Sequence, residues 1–217
     1  MSKKIIIVTA GGFGREVHYL IEEINNEASD KWSIQGYVDD DKKMEGQIIN
    51  GLPVIGTIES LQKINKKTAV VIAAGKPAVR RKILQKIASN KKLYYPNLIH
   101  PTITLMPSNT IGRGNIICKG TIITVNVNID DLNIINLNCT IGHDVRIGKF
   151  CTLAPNINLS GCSHVGDYTE LGTNVIVIPG VSIGTNSIIG AGAVVTKDIQ
   201  SSVLAVGMPA KEVKKIN

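Results

Sequence analysis

The stretch IGHDVR sets His143 beside Asp144, the two side-chain types that proton-transfer chemistry uses most. A neutral imidazole accepts a proton near pH 7, and an adjacent carboxylate can orient the ring and stabilise the imidazolium that forms. Read alone, the same histidine is more readily a surface residue. A second grouping is TAGGFG (residues 9–14), whose Gly11, Gly12 and Gly14 precede a helical pattern. Backbone N–H groups and a helix N-terminus converge at such a turn and suit a phosphate. The spacing is not GxGxxG, so a dinucleotide cofactor is not indicated. Cys118, Cys139, Cys151 and Cys162 lack CxxC spacing and ligand-spaced histidine pairs, so no metal site is expected. Small buried thiols in a reducing cytoplasm fit that pattern.

These residues lie in halves with different grammar. In the first, KKIIIV reads as a buried strand rather than a signal peptide, because glycines follow its short apolar run. Val17, Leu20, Ile21 and Ile24 share one helical face, and IQGYVDDD is a short strand ending in aspartates. IESLQKI reads as a short helix, TAVVIAAG as a buried strand stopped by Gly75, and AVRRKILQKIA as a second amphipathic helix. Strands alternating with helices imply crossover units and a parallel sheet, hence a Rossmann-like domain over residues 1–95.

The second half repeats every six residues. From Ile99 through Ile123, Ile141, Leu159 and Val177 to Val195, all seventeen positions of that register are aliphatic. Neither a helix nor a strand has this period, whereas a coil returning to the same face after each hexad does. The expectation is a parallel β-helix over residues 96–197, three hexads per turn, with each aliphatic stacked on the residue eighteen positions along. Positive φ is expected at its corners, supplied by the glycines that follow the aliphatics (112, 142, 148, 166, 172, 184, 190) and by the many asparagines.

A hexapeptide coil followed by GAGAVVTKDI and AVGMPAKEV, and preceded by TAGGFGREV, resembles the sialic acid O-acetyltransferase-like sugar acyltransferases, which include bacterial UDP-aminosugar N-acetyltransferases. The resemblance covers essentially the whole chain. It implies a left-handed β-helix, a homotrimer, and acetyl-CoA as acyl donor in the groove between neighbouring coils. It makes His143 the catalytic base, with Asp144 as its orienting acid. Thr152, in FCTLAP, stands where many relatives carry a second histidine, and His164 is a candidate substitute. Gly161 is expected near the thioester, and Gly172, Gly190, Ala191 and Lys211, with the tail 198–217, around the pantetheine and adenine of CoA. By the same resemblance Gly11, Gly12, Phe13 and Gly14 approach a UDP-sugar, Phe13 replacing a histidine common in relatives. Asp39 and Asp40 then contact the uridine, and Gly75 lies on the same edge; the aspartates also suit a solvated turn.

Charge adds little. Residues 1–98 hold 16 basic against 10 acidic side chains, and with two Phe, one Trp and no arginine-rich stripe, nucleic acid is not an expected partner. The leading expectation is a cytoplasmic acetyltransferase acting on the amino group of a nucleotide-activated amino sugar. Sugar O-acetylation and a non-catalytic β-helix that binds sugars or partners are the alternatives. His100 is expected to pack or cap between the halves, and His18 carries no assigned role.

Overall fold

The β-branched run that opens the chain forms β1 (Lys3–Val8), and the glycine turn after it leads into α1 (Gly12–Glu27) and β2 (Trp32–Val38). A small hairpin follows, β3 (Ile48–Ile49) with β4 (Leu52–Pro53), then a 3-10 helix over Ile58–Lys63. β5 (Thr68–Ile72), α2 (Pro77–Ile87) and β6 (Leu93–Tyr94) complete the unit. This computed structural model describes residues 3–216 and divides into two compact units, one through Leu98 and one from Ile99 onward.

In the first unit four strands pair in the order β2-β1-β5-β6, every pair parallel. Ile5, Ile6, Ile7 and Val8 are all buried, as expected of a strand covered on both faces. Val17, Leu20 and Ile21 form the buried stripe of α1. The connection from β1 runs toward β2, and that from β5 runs toward β6, so the topology reverses between β1 and β5. Ligands of open α/β sheets bind at the carboxyl ends of strands beside such a reversal. Thr9 and Ala73 sit there, joined by a 2.9 Å bond from the Thr9 hydroxyl to the Ala73 carbonyl.

In the second unit two-residue strands recur every six residues and stack into three faces. The first face carries Ile122–Ile123, Thr140–Ile141, Asn158–Leu159, Ile176–Val177 and Val194–Val195. Asn128–Ile129, Arg146–Ile147 and His164–Val165 lie on the second, and Ile134–Ile135, Thr152–Leu153, Glu170–Leu171 and Ile188–Ile189 on the third. Rungs between these two-residue strands pair residue i with i+18, as Ile123, Ile141, Leu159, Val177 and Val195 do. These side chains are buried and fill the coil.

Positive φ recurs every sixth residue from Gly114 to Gly192, through Asn126, Leu132, Asn138, Asp144, Phe150, Asn156, Cys162, Tyr168, Asn174, Gly180 and Asn186. The asparagine reading holds for part of its set: Asn109, Asn115, Asn128, Asn133 and Asn158 are outside the positive-φ register. Instead, Asn115 and Asn133 are fully buried and accept backbone bonds from Asn133 (2.8 Å) and Cys151 (2.6 Å), each on the next coil. The glycines after the aliphatics are also outside that register. Glycine is needed there for contact: a Cβ on Gly172 would stand 2.6 Å from the Ala191 nitrogen of the coil above.

Beyond the hexads, a strand over Val203–Gly207 extends the third face in parallel and turns back antiparallel as Ala210–Lys215. No helix among the described residues is long and apolar enough to cross a membrane.

Candidate active site

His143 and Asp144 occupy the corner between the first and second faces of the coil, bracketed by the strands Thr140–Ile141 and Arg146–Ile147. Asp144 takes the left-handed conformation (φ 59°), which aspartate tolerates better than most residues, and its N–H donates to the Val125 carbonyl at 3.1 Å. Both side chains are exposed, at 62% and 49%. His143 Nδ1 lies 2.8 Å from Asp144 Oδ2. An ionised carboxylate only accepts, so this contact puts the ring proton on Nδ1 and leaves Nε2 with its lone pair.

Two further residues complete the corner. Asn126, eighteen residues before Asp144, donates from Nδ2 to Asp144 Oδ1 at 3.1 Å. The Asp144 carboxyl is held below the usual aspartate range, first by the bond from His143 and second by that from Asn126. Gly161, eighteen residues after His143, lies beneath the imidazole, so that a Cβ there would overlap Nε2, Cε1 and Cδ2 of the ring. Gly161 therefore seats the imidazole. The sequence reading gave Asn126 only as a corner asparagine; the signal of its tie to Asp144 is the eighteen-residue offset that places both on the same corner.

The other residues assigned to the acyl donor gather elsewhere. Thr152 is a half-buried residue of the third face, between Ile134 and Glu170. Gly172 and Gly190 follow strands of that face, Ala191 stacks on Gly172, and a Cβ on Gly190 would meet Val206 of the tail. Lys211, exposed, pairs with Val206 across the tail hairpin. Thr152, Gly172, Gly190, Ala191 and Lys211 thus share one side of the coil, while His143 and Gly161 share a corner between the two other faces. His164 is exposed on the second face, beside Arg146. Buried His100 bonds Thr102 Oγ1 at 2.8 Å.

In the first unit Gly11 is the N-cap of α1, which has no side-chain cap and no acidic residue in its first turn. Unsatisfied N–H groups and the positive end of the helix dipole are therefore presented at Gly12 and half-buried Phe13. Gly14 serves close packing instead, because a Cβ there would collide with the Thr9 carbonyl; glycine lets the helix begin against the turn. Asp39 Oδ2 accepts the Ala10 N–H at 2.8 Å, and Oδ1 accepts the Asp41 N–H at 2.9 Å. Asp40 accepts the Ile58 N–H at 2.9 Å and pairs with Lys86 at 3.0 Å. Both carboxylates fasten loops at the carboxyl edge of the sheet. Gly75 is exposed on that edge, and the buried Arg80 donates from Nη1 to the Ala74 and Gly75 carbonyls at 2.7 Å each. His18 is buried, with Nδ1 3.1 Å from the Tyr37 hydroxyl and Nε2 3.3 Å from Glu22.

Residues 4–87 match the PglD N-terminal domain, and residues 162–197 match the bacterial transferase hexapeptide (six repeats). Among solved structures, the acetyltransferase domain of PglB from Neisseria gonorrhoeae, in complex with acetyl coenzyme A, is 29% identical with a TM-score of 0.89, over 98% of this chain and 100% of that one. PerB from Caulobacter crescentus, in complex with CoA and GDP-perosamine, is 32% identical with a TM-score of 0.86, over 97% of each chain. Two further structures of that perosamine N-acetyltransferase carry one histidine replaced by asparagine or by alanine. Galactoside O-acetyltransferase of Escherichia coli is 38% identical over 38% of this chain and 50% of its own length. The chain spans about half the length of that curated relative.

Proposed function

The chain belongs to the left-handed β-helix, hexapeptide-repeat sugar acyltransferases that carry a PglD-type N-terminal domain, and from that premise we propose that it transfers the acetyl group of acetyl-CoA to the amino group of a nucleotide-activated amino sugar, a UDP-amino sugar in the first instance. The single observation that carries the mechanism is the His143 Nδ1 contact with Asp144 at 2.8 Å, which leaves Nε2 as the proton acceptor. The sugar amine attacks the thioester carbonyl while Nε2 takes its proton. Collapse of the tetrahedral intermediate releases CoA thiolate, which recovers the proton from the imidazolium. Asp144 stabilises that imidazolium, and Asn126 keeps the carboxylate in place. No acyl-enzyme is required.

The N-terminal unit holds the nucleotide, its phosphates at the uncapped start of α1 and its base near Asp39, Asp40 and Gly75. The complexes of PglB with acetyl coenzyme A and of PerB with CoA and GDP-perosamine support this reading of donor and acceptor. Within one chain the donor residues Thr152, Gly172, Gly190, Ala191 and Lys211 stand on a different side of the coil from His143, so a neighbouring copy has to supply one half of the site. A homotrimer does this, and the exposed apolar Ile122 and Ile176 of the first face suit burial between copies.

The test is release of the CoA thiol across a panel of UDP- and GDP-amino sugars. His143→Ala is expected to lower turnover by roughly 10²–10⁴ with the fold retained. Turnover near the wild-type value in that variant would sink the mechanism. Acetylation of a plain sugar hydroxyl in preference to any nucleotide-linked amine would favour O-acetylation, to which the Escherichia coli relative points.

A further inference from the structure

Cys162 is the one exposed cysteine; Cys118, Cys139 and Cys151 are buried. It stands on the same corner column as Asp144, eighteen residues on, and shares its left-handed conformation (φ 61°). The two coils are locked together here by bonds from the Gly142 N–H to the Leu159 carbonyl and from the Cys162 N–H to the His143 carbonyl, 2.8 Å each. One nitrogen of His143, one oxygen of Asp144 and the sulfur of Cys162 all lie within 4.8 Å of one another.

We propose that this corner is a capture site for a thiophilic divalent cation of the zinc type, in which His143, Asp144 and Cys162 are the ligands and the bound ion shuts off acetyl transfer. A tetrahedral zinc ion with bonds of about 2.0–2.3 Å sets its N, O and S donors roughly 3.3–3.6 Å apart. The Nδ1-to-Oδ2 spacing of 2.8 Å opens slightly and the wider spacings close, both by rotation of exposed side chains about their own bonds. The backbone need not move, because the coil rungs fix it. Asn126, bonded to the second oxygen of Asp144, orients the carboxylate as outer-shell partners of metal ligands do. Asp144 and Cys162, together with Arg146, Ser163 and His164, line a hollow of about 450 Å³, leaving room for a fourth ligand from solvent. Imidazole and thiolate select zinc over magnesium, whose preference is for oxygen.

The inhibitory half rests on His143 being the base: an ion held by its ring nitrogen, or by the carboxylate that orients the ring, removes the proton acceptor. The binding half needs no substrate, so the two fail separately. Chelator-treated full-length protein is titrated with Zn²⁺ against a chromophoric competitor, with Mg²⁺ as the second probe. One Zn²⁺ per chain is expected, with affinity falling by more than about 10-fold in Cys162→Ser and in Asp144→Asn, and Mg²⁺ failing to compete. Absent binding, or binding unchanged in both variants, overturns the site. In the acetyl-transfer assay Zn²⁺ is expected to inhibit the wild type, EDTA to reverse this, and Cys162→Ser to stay active at the same Zn²⁺ concentration. Stoichiometric zinc with an undiminished rate overturns the inhibitory half. A wild-type rate for metal-free His143→Ala strikes the base assignment instead and leaves the binding result standing.

Discussion

The imidazole of His143 rests on the α-carbon of Gly161 in the next coil, at a place where a single methyl group would overlap its Nε2 edge. The nitrogen assigned to take the proton is therefore positioned from below by the absence of a side chain. Gly161 has an ordinary φ, so alanine there is unstrained in its backbone and acts only on the ring. Gly161→Ala is expected to cut kcat by about 10-fold or more, while the melting temperature moves little. An unaltered kcat would show that the ring has another productive position.

Asp144 fixes the tautomer. Replacing it by asparagine keeps the shape but offers the ring a donor, so Nδ1 turns acceptor and Nε2 carries the proton. Asp144→Asn is expected to reduce turnover by as much as ~10⁴, with Asn126→Ala showing a smaller loss through the freed carboxylate. The sign of the pH effect follows from the lowered carboxyl pKa, caused first by the His143 bond. A depressed native pKa favours the ionised form, so its contribution to stability is present above the unfolded value of 3.8 and is lost as pH falls through the lower native value. Asp144 consequently stays ionised throughout the neutral range, and the acid limb of the rate profile is not its titration. An Asn126→Ala enzyme with unchanged turnover at every pH would remove Asn126 from the site.

The thiols divide by burial. Cys139 is pushed up to about 11 by desolvation, which disfavours the thiolate, and so stays neutral and unreactive in the native coil well above pH 8. Iodoacetamide followed by peptide mass mapping is expected to mark Cys162 in the folded protein and all four cysteines after denaturation. Native labelling of Cys139 at a comparable rate would mean that the coil opens locally.

What could be read in advance follows from period. The hexad register from Ile99 to Val195 fixed the coil, because an interior one residue wide tolerates only aliphatics at each return. It also placed His143 off the interior positions. It could not say which glycines bend and which merely make room, since the two needs leave the same letter: Gly192 has positive φ and Gly172 does not. Likewise DDD after β2 marked a loop edge, yet nothing local to it indicates that Asp39 bonds Ala10, twenty-nine residues earlier. The hairpin Ile48–Ile49 with Leu52–Pro53 is too short to leave a period at all.

Arg80 is the residue through which the proposed nucleotide edge can be tested without touching the proposed catalytic corner. Its guanidinium, 1% exposed, holds the Ala74 and Gly75 carbonyls where β5 ends beside the reversal of strand order. Arg80→Met keeps the length of the stem but removes the donors, leaving the carbonyl of buried Ala74 to find another at a cost of about 1–3 kcal/mol. The loop then shifts, and the KM for the nucleotide sugar is expected to rise by about 10-fold while kcat and the KM for acetyl-CoA hold. Arg80→Lys, with one compact donor group, should recover part of that affinity. Loss confined to thermal stability, with both KM values intact, would make Arg80 a structural residue only and would separate the Ala74–Gly75 loop from substrate binding.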